Sequence, residues 1–134
     1  MSAPVILLAT AFITNAAGQI LLVRKRGSPF FMQAGGKLEP GETPLQALQR
    51  ELAEELRLPA HETAPARYEG FFECPAANEP GHVVHAHVFT LTLEGAIEPA
   101  AELEEARWVS PAQARQLPVA RLLSDHLLPR LAPI

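Results

Sequence analysis

Hydrophobic and polar positions alternate between two rhythms along this chain. Val5 to Thr14 is a run of apolar and β-branched residues and reads as a strand. An Asn15-Ala16-Ala17-Gly18 turn leads to a second apolar run, Gln19 to Val23, so the pair predicts a hairpin. A short apolar segment, Phe30-Phe31-Met32, precedes Ala34-Gly35-Gly36. The rhythm then lengthens. Leu45, Leu48, Leu52 and Leu56 recur at spacings of three and four, which lines one face of a helix. Thr43 is a good N-cap, Pro44 suits the first helical position, and Gln46 completes a capping box with Thr43. Leu58-Pro59 ends the element. A Pro- and Ala-rich stretch follows as a loop. Arg67 to Glu73 predicts a strand, and His82 to Leu93 a longer one. In that long strand His85, His87, Phe89 and Leu91 share one face, and Val84, Ala86 and Val88 the other. Ala106 to Val109 reads as a short strand, Ser110-Pro111 starts a short helix, and Ala120 to Leu128 reads as a last helix. Strands on both sides of a central helix, with helices at the end, imply an α/β layered domain with a mixed sheet. No repeat or linker divides residues 1–134, so one domain is expected.

Composition narrows the partners. A chain of 134 residues with 48% hydrophobic residues can bury an ordinary core. A formal net charge of −4 leaves no footprint for a long nucleic-acid backbone, although a small phosphate ligand needs only a local positive charge. Cys74 is the sole cysteine, so neither an internal disulfide nor a cysteine-based zinc site can form. No Lys or Arg precedes the first apolar run and no stretch is long enough to span a bilayer, so a soluble cytoplasmic protein without membrane contact is expected.

The candidate chemistry sits on the central helix. Arg50, Glu51, Glu54 and Glu55 fall within six positions. At about 100° per residue, Glu51 and Glu55 lie on one flank of the leucine stripe and Glu54 lies just beyond. A solvated acidic face normally interleaves lysines four residues on, and this helix has none. Close carboxylates repel one another, whereas oxygen ligands in this density suit a hard divalent cation. Arg50 is expected on a different face from Glu55, with Glu42 as the partner that ties loop to helix. Gly35-Gly36 lets the backbone come close to a cation.

These residues match a specific pattern. Gly36, Glu42, Arg50, Glu51, Leu52, Glu54, Glu55 and Leu58 fit the signature of the Nudix hydrolases, after the familiar approach Gly35-Gly36-Lys37-Leu38-Glu39-Pro40-Gly41. The segment Glu104-Glu105-Ala106-Arg107-Trp108-Val109 also resembles one found late in these domains. Arg57 stands where the signature has Gly, at a position that often needs a left-handed backbone, and Ala34 stands where many relatives have Pro. The resemblance implies the Nudix fold, an α/β/α sandwich with a mixed β-sheet. It implies hydrolysis of the pyrophosphate of a nucleoside diphosphate linked to another group, with Mg²⁺ or Mn²⁺ as cofactor. By the same match Glu51, Glu54, Glu55 and the Gly36 backbone are metal ligands, with Glu42 and Arg50 as the supporting pair. The general base is a box glutamate or one of Glu102, Glu104 and Glu105. Arg24, Arg26 and Phe31 are candidate substrate contacts, and a homodimer is compatible with the family. The alternative is a nucleotide-sensing Nudix module that cleaves weakly or not at all. The histidine pair His85 and His87 lacks a third ligand for zinc, so a pocket or packing role is expected. Nothing in the box names the nucleotide.

Overall fold

The computed structural model describes residues 3–130. Seven strands form one mixed sheet: β1 (Val5–Thr14), β2 (Ile20–Lys25), β3 (Phe31–Met32), β4 (Ala34–Lys37), β5 (Arg67–Pro75), β6 (Val83–Thr92) and β7 (Leu103–Val109). The helix α1 (Pro44–Leu56) covers one face. The short helices α2 (Ala60–Thr63) and α3 (Pro111–Gln116) follow it in the chain. Within the stretch expected as a loop, α2 adds one turn.

The pattern of apolar residues decides the layers. On β1 and β6, Ala9, Ala11, Ile13, Phe89 and Leu91 join Leu48, Leu52 and Leu56 of α1 in one core. Phe12, Val84, Ala86 and Val88 join Ala114, Leu122, Leu123 and Leu127 in a second core on the other face. The two-residue alternation expected for β6 therefore separates two cores, and the sheet lies between helical layers.

The capping box at α1 forms as the sequence implies. Thr43 Oγ1 accepts from the Gln46 amide at 3.2 Å and Gln46 Oε1 accepts from the Thr43 amide at 2.9 Å. Its other end stops on Arg57 at φ 56, ψ 33, so the left-handed turn is made by a non-glycine residue.

Two expectations change. The β1–β2 hairpin closes only at its tip, where Thr14 faces Ile20. Beyond the tip the strands diverge. β1 is apolar on both faces and needs neighbours along its whole length. β6 supplies one, running parallel from Val5↔Val83 to Thr14↔Thr92. On the opposite edge β4 enters the wedge, from Leu8↔Lys37 to Ala11↔Ala34. β2 instead pairs antiparallel with β7. The terminal helix is also different: a wide π-type segment, Leu122–Leu127, runs into a tight turn, Leu128–Arg130. Among the described residues, no helix is long and apolar enough to cross a membrane.

Candidate active site

The wedge that admits β4 builds the site. Gly35 faces Thr10 across the ladder at φ 143, and a side chain there would strike the Ala9 carbonyl. That close approach leaves the Gly35 amide free to point at α1, where it donates to Glu55 Oε1 at 3.0 Å. Glu55 is 2% exposed. Burial pushes its carboxyl up to about 8, the Gly35 amide pulls the other way, and Glu51 adds to the rise. A buried acid with one hydrogen bond and no neutralising partner is left short of positive charge.

Glu51 lies one turn earlier, against Gly36. A methyl group on Gly36 would fall 2.6 and 2.7 Å from its two carboxylate oxygens, so the glycine is a cradle that only a missing Cβ leaves open. Glu54 is on the outer side of the helix with its side chain 54% exposed.

Arg50 ties the loop to the helix as the sequence implies. Its Nε and Nη2 donate to the two oxygens of Glu42 at 2.8 and 2.9 Å, and Nη2 also donates to the Lys37 carbonyl at 2.9 Å. The Glu42 carboxyl is held down to about 2, chiefly by Arg50 and then by the Glu39 amide. Arg50 also reaches two acids of the cluster, Glu51 and Glu54, without neutralising the whole of it. Nη1 donates to Glu51 at 2.8 Å and lies 3.8 Å from Glu54. Glu54, four residues on, shares the helix face of Arg50, and the long flexible stem lets the guanidinium reach the adjoining Glu51 as well.

Glu51, Glu54 and Glu55 thus line one helix edge but at three depths. Among the described residues no three Asp, Glu, His or Cys side chains converge on one point. The donor set nevertheless fits a hard divalent cation: it is all oxygen, it includes an under-neutralised buried carboxyl, and it abuts the open cradle at Gly36.

A cleft of about 640 Å³ opens beside this edge. Glu51, Glu55, Gly35 and Gly36 stand at one side of it, Lys25 and Arg26 at the mouth, and Ile6, Leu8, Val84 and Leu122 form aliphatic wall. Of the substrate contacts expected from sequence, Arg26 lines the cleft and Arg24 and Phe31 do not. Phe31 is 5% exposed, buried in the second core with the Arg107 guanidinium 4.9 Å over its ring. Arg24 is spent on the Ser28 carbonyl at 3.1 Å and on Glu105 at 3.4 Å. Both alternate with strand neighbours that do line the cleft, Val23 and Lys25 beside Arg24 and Met32 beside Phe31. Lys25, between the two arginines, also lines it.

The three later carboxylates also separate. Glu105 is gripped by Arg107 and Arg24, which hold its carboxyl below the usual range. Glu104 pairs with Arg26 at 3.5 Å. Only Glu102 among them lines the cleft, with Lys25 at 3.6 Å. It is brought there by the Ala100 amide, which donates to the Glu55 carbonyl at 2.8 Å and fastens this loop to the end of α1.

Sequence reasoning missed Thr10 and Gln33. Both are buried in the cleft wall, and Thr10 Oγ1 and Gln33 Nε2 have no hydrogen-bond partner in the protein. A polar residue at a sheet position that otherwise reads apolar was the available signal.

His85 and His87 lie on the α1 side of the sheet and do not line the cleft. His85 Nε2 meets Glu73 at 2.8 Å, and His87 Nδ1 meets the Tyr68 hydroxyl at 2.9 Å.

A three-layer fold with a glycine strand against a glutamate-edged helix defines a class, and the comparisons agree. A family model described as the NUDIX domain matches residues 7–131. The chain belongs to the Nudix pyrophosphohydrolase family. It is 35% identical over 136 residues to the 8-oxo-dGTP diphosphatase of Haemophilus influenzae, covering 96% of this chain and 94% of that one. It is 32% identical over 115 residues to the CTP pyrophosphohydrolase of Escherichia coli, covering 82% and 80%. Among solved structures, the E. coli ORF135 protein superposes with a TM-score of 0.64 at 32% identity, over 87% of this chain and 81% of that one. The MutT protein of Methanosarcina mazei shares the fold with a TM-score of 0.76 at 23% identity, over 97% and 94%.

Proposed function

We propose that this chain is a metal-dependent hydrolase that cleaves the pyrophosphate of a nucleotide or nucleotide derivative, working in the cytoplasm. The observation that carries the reading is the buried, under-neutralised Glu55 beside Glu51 and the Gly36 cradle, opening on a cleft lined by Lys25, Arg26 and Lys37. The names of the two relatives, a diphosphatase and a pyrophosphohydrolase of nucleoside triphosphates, support the same reaction class.

Glu51, Glu54, Glu55 and the Gly36 carbonyl would hold Mg²⁺ or Mn²⁺. When bound, such a cation offsets charge on phosphoryl oxygens and lowers the pKa of water. The chain's own groups do the rest. Arg50 and Glu42 fix the loop before α1 and orient Glu51. Lys25 and Arg26 draw a polyphosphate to the cleft mouth. The aliphatic wall keeps bulk water from the organic half of the substrate. A water oxygen bonds to one phosphorus as the bridging phosphorus–oxygen bond breaks. A nearby carboxylate takes the water's proton, either a box glutamate or Glu102, which alone of Glu102, Glu104 and Glu105 lines the cleft.

A panel of nucleoside triphosphates and nucleotide sugars, incubated with Mg²⁺ and analysed for products, tests this. The expected result is release of a nucleoside monophosphate, pyrophosphate or phosphate, abolished in Glu54→Gln. Turnover that survives Glu54→Gln unchanged rules out the metal-site assignment. Binding of nucleotide without any cleavage would instead make the chain a sensing module.

A further inference from the structure

The exposed large apolar side chains among the described residues, Val5 (53%), Leu7 (40%), Tyr68 (54%) and Phe71 (51%), all stand on one face of the sheet. Val5 and Leu7 alternate along β1 with Ile6 and Leu8, which pack against the second core, so they point to the α1 side with Ala9 and Ala11. The ladders carry that side across β6 to β5. Leu7 is level with His85 and Glu73, and Ala9 with His87 and Phe71. The rings agree: Phe71 lies 5.4 Å from His85 and 5.0 Å from His87, and Tyr68 lies 5.3 Å from Phe89 of the α1 core. The helix covers Ala9, Ala11 and Ile13 and leaves this end of the sheet bare. A single exposed apolar residue needs no explanation, whereas four gathered on one face mark a contact surface. β4, with its Gly36 cradle, pairs with the edge of β1 opposite β6, so the patch lies away from the carboxylates.

Charge, area and arrangement say what covers it. The polar groups among the four are closed on one another, His85 with Glu73 at 2.8 Å and His87 with the Tyr68 hydroxyl at 2.9 Å. Such a face selects neither a charged peptide nor an anionic surface and fits another apolar, uncharged face. Half of two aromatic rings, with about half of Val5 and Leu7, leaves roughly 300 Å² of apolar surface in water. One side of a standard interface buries about 800 Å², a little over half of it apolar. The half-buried Val83 and the exposed Pro75, on the rung of Val5, bring the patch close to that requirement. β6 runs down its middle, with aliphatic Val5 and Leu7 on the β1 side and aromatic Tyr68 and Phe71 on the β5 side. A two-fold axis through β6 exchanges the two sides. The rings of one copy then lie on the aliphatic side chains of the other, and the reverse, which is the self-complementarity a symmetric pair requires.

We propose that this face binds a second copy of the chain in a two-fold dimer, with Phe71 of each copy packed on Leu7 of the other. The inference does not depend on the hydrolase reading above. The carboxylate edge of α1 takes no part in the contact, so each copy keeps its own cleft.

Sedimentation velocity of the whole chain, from about 1 to about 200 µM, tests it. Wild type should pass from monomer to dimer within that range, as a patch at the small end of the standard class implies. Leu7→Lys and Phe71→Glu should each weaken the dimer at least about tenfold, because each puts a charge into both symmetric contacts. An equimolar mixture of the two variants should recover the dimer, since a mixed pair places Lys against Glu at one contact and keeps Leu7 on Phe71 at the other. Melting temperatures of dilute samples should match the wild type, which separates a lost contact from a lost fold. Should either charged variant fail to fold, Leu7→Ser and Phe71→Ser serve in its place, each again weakening the dimer about tenfold or more. A wild type that stays monomeric throughout the range overturns the proposal, and binding of that monomer to phosphatidylcholine vesicles would give the face to a membrane instead. A dimer that none of these substitutions weakens overturns it by moving the contact elsewhere. Failure of the mixture to recover the dimer overturns the pairing of Phe71 with Leu7.

Discussion

The seam between β4 and α1 and the outer end of β5–β6 each carry a cluster of titratable side chains, and they treat their polar atoms differently. On β5–β6 every noted group finds a mate at the surface. His85 meets Glu73, His87 meets Tyr68, and the half-exposed Phe71 packs its ring 5.4 Å from His85 and 5.0 Å from His87. At the β4–α1 seam the groups are left short. Glu55 is buried with one amide donor, Glu51 presses on a glycine, and Thr10 and Gln33 have no partner. A satisfied polar cluster is already at rest, whereas an unsatisfied one gains from a ligand. That contrast, and not residue type, separates the two.

The largest expected effect is at Glu55. Glu55→Gln removes a charge from the proposed metal edge, and kcat should fall by roughly 10²–10³. The same change should stabilise the fold at alkaline pH. The Glu55 carboxyl has an ordinary value of 4.5 and a folded value of about 8. The folded chain therefore binds the extra proton between those values, so this contribution to stability is present at acid pH and is lost as pH rises through about 8. The loss is on the order of a few kcal/mol. Denaturant midpoints measured from pH 5 to pH 9 should decline in the wild type and stay flatter in Glu55→Gln. Added Mg²⁺ should also flatten the wild-type decline. A wild-type profile without slope would remove the distinction between the two clusters.

Next in size is Gly36→Ala. Its methyl group displaces the Glu51 carboxylate, and turnover should drop roughly 10–100-fold, with little change in melting temperature. Equal losses of stability and activity would mean the cradle serves packing alone.

A smaller effect tests where the site ends. Arg57 holds a left-handed backbone two residues beyond Glu55. Arg57→Gly should stabilise by about 1 kcal/mol, read as a higher melting temperature, and leave kcat unchanged. A change in kcat would extend the site past the helix.

The smallest effect is expected on the other cluster. The double change His85→Ala, His87→Ala should leave kcat/KM within about twofold and cost stability on the scale of surface substitutions, near 0.5 kcal/mol. A large loss of turnover there would break the comparison outright.

Much of this was legible from residues in order. The leucines of α1, its capping box and the alternation of β6 read correctly because each depends on neighbours within about four positions or on a period of two. The tie between Arg50 and Glu42 was also readable, since a loop and the helix it enters stay close. That Arg24 and Phe31 lie off the cleft was not readable, because their orientation depends on β2 pairing with β3 and β7. Which of Glu102, Glu104 and Glu105 lines the cleft depended on the Ala100 amide reaching the end of α1.

The sequence by itself determined α1 and the long strands, the alternating faces of β6 and the order of carboxylates on one helix edge, because local periodicity and capping set those. Only the tertiary structure decided that β4 displaces β2 beside β1. From that followed the aim of the Gly35 amide, the burial of Glu55 and the stranding of Thr10 and Gln33. Strand pairing between distant segments settles which polar atoms find partners, and spacing along the chain carries no record of it.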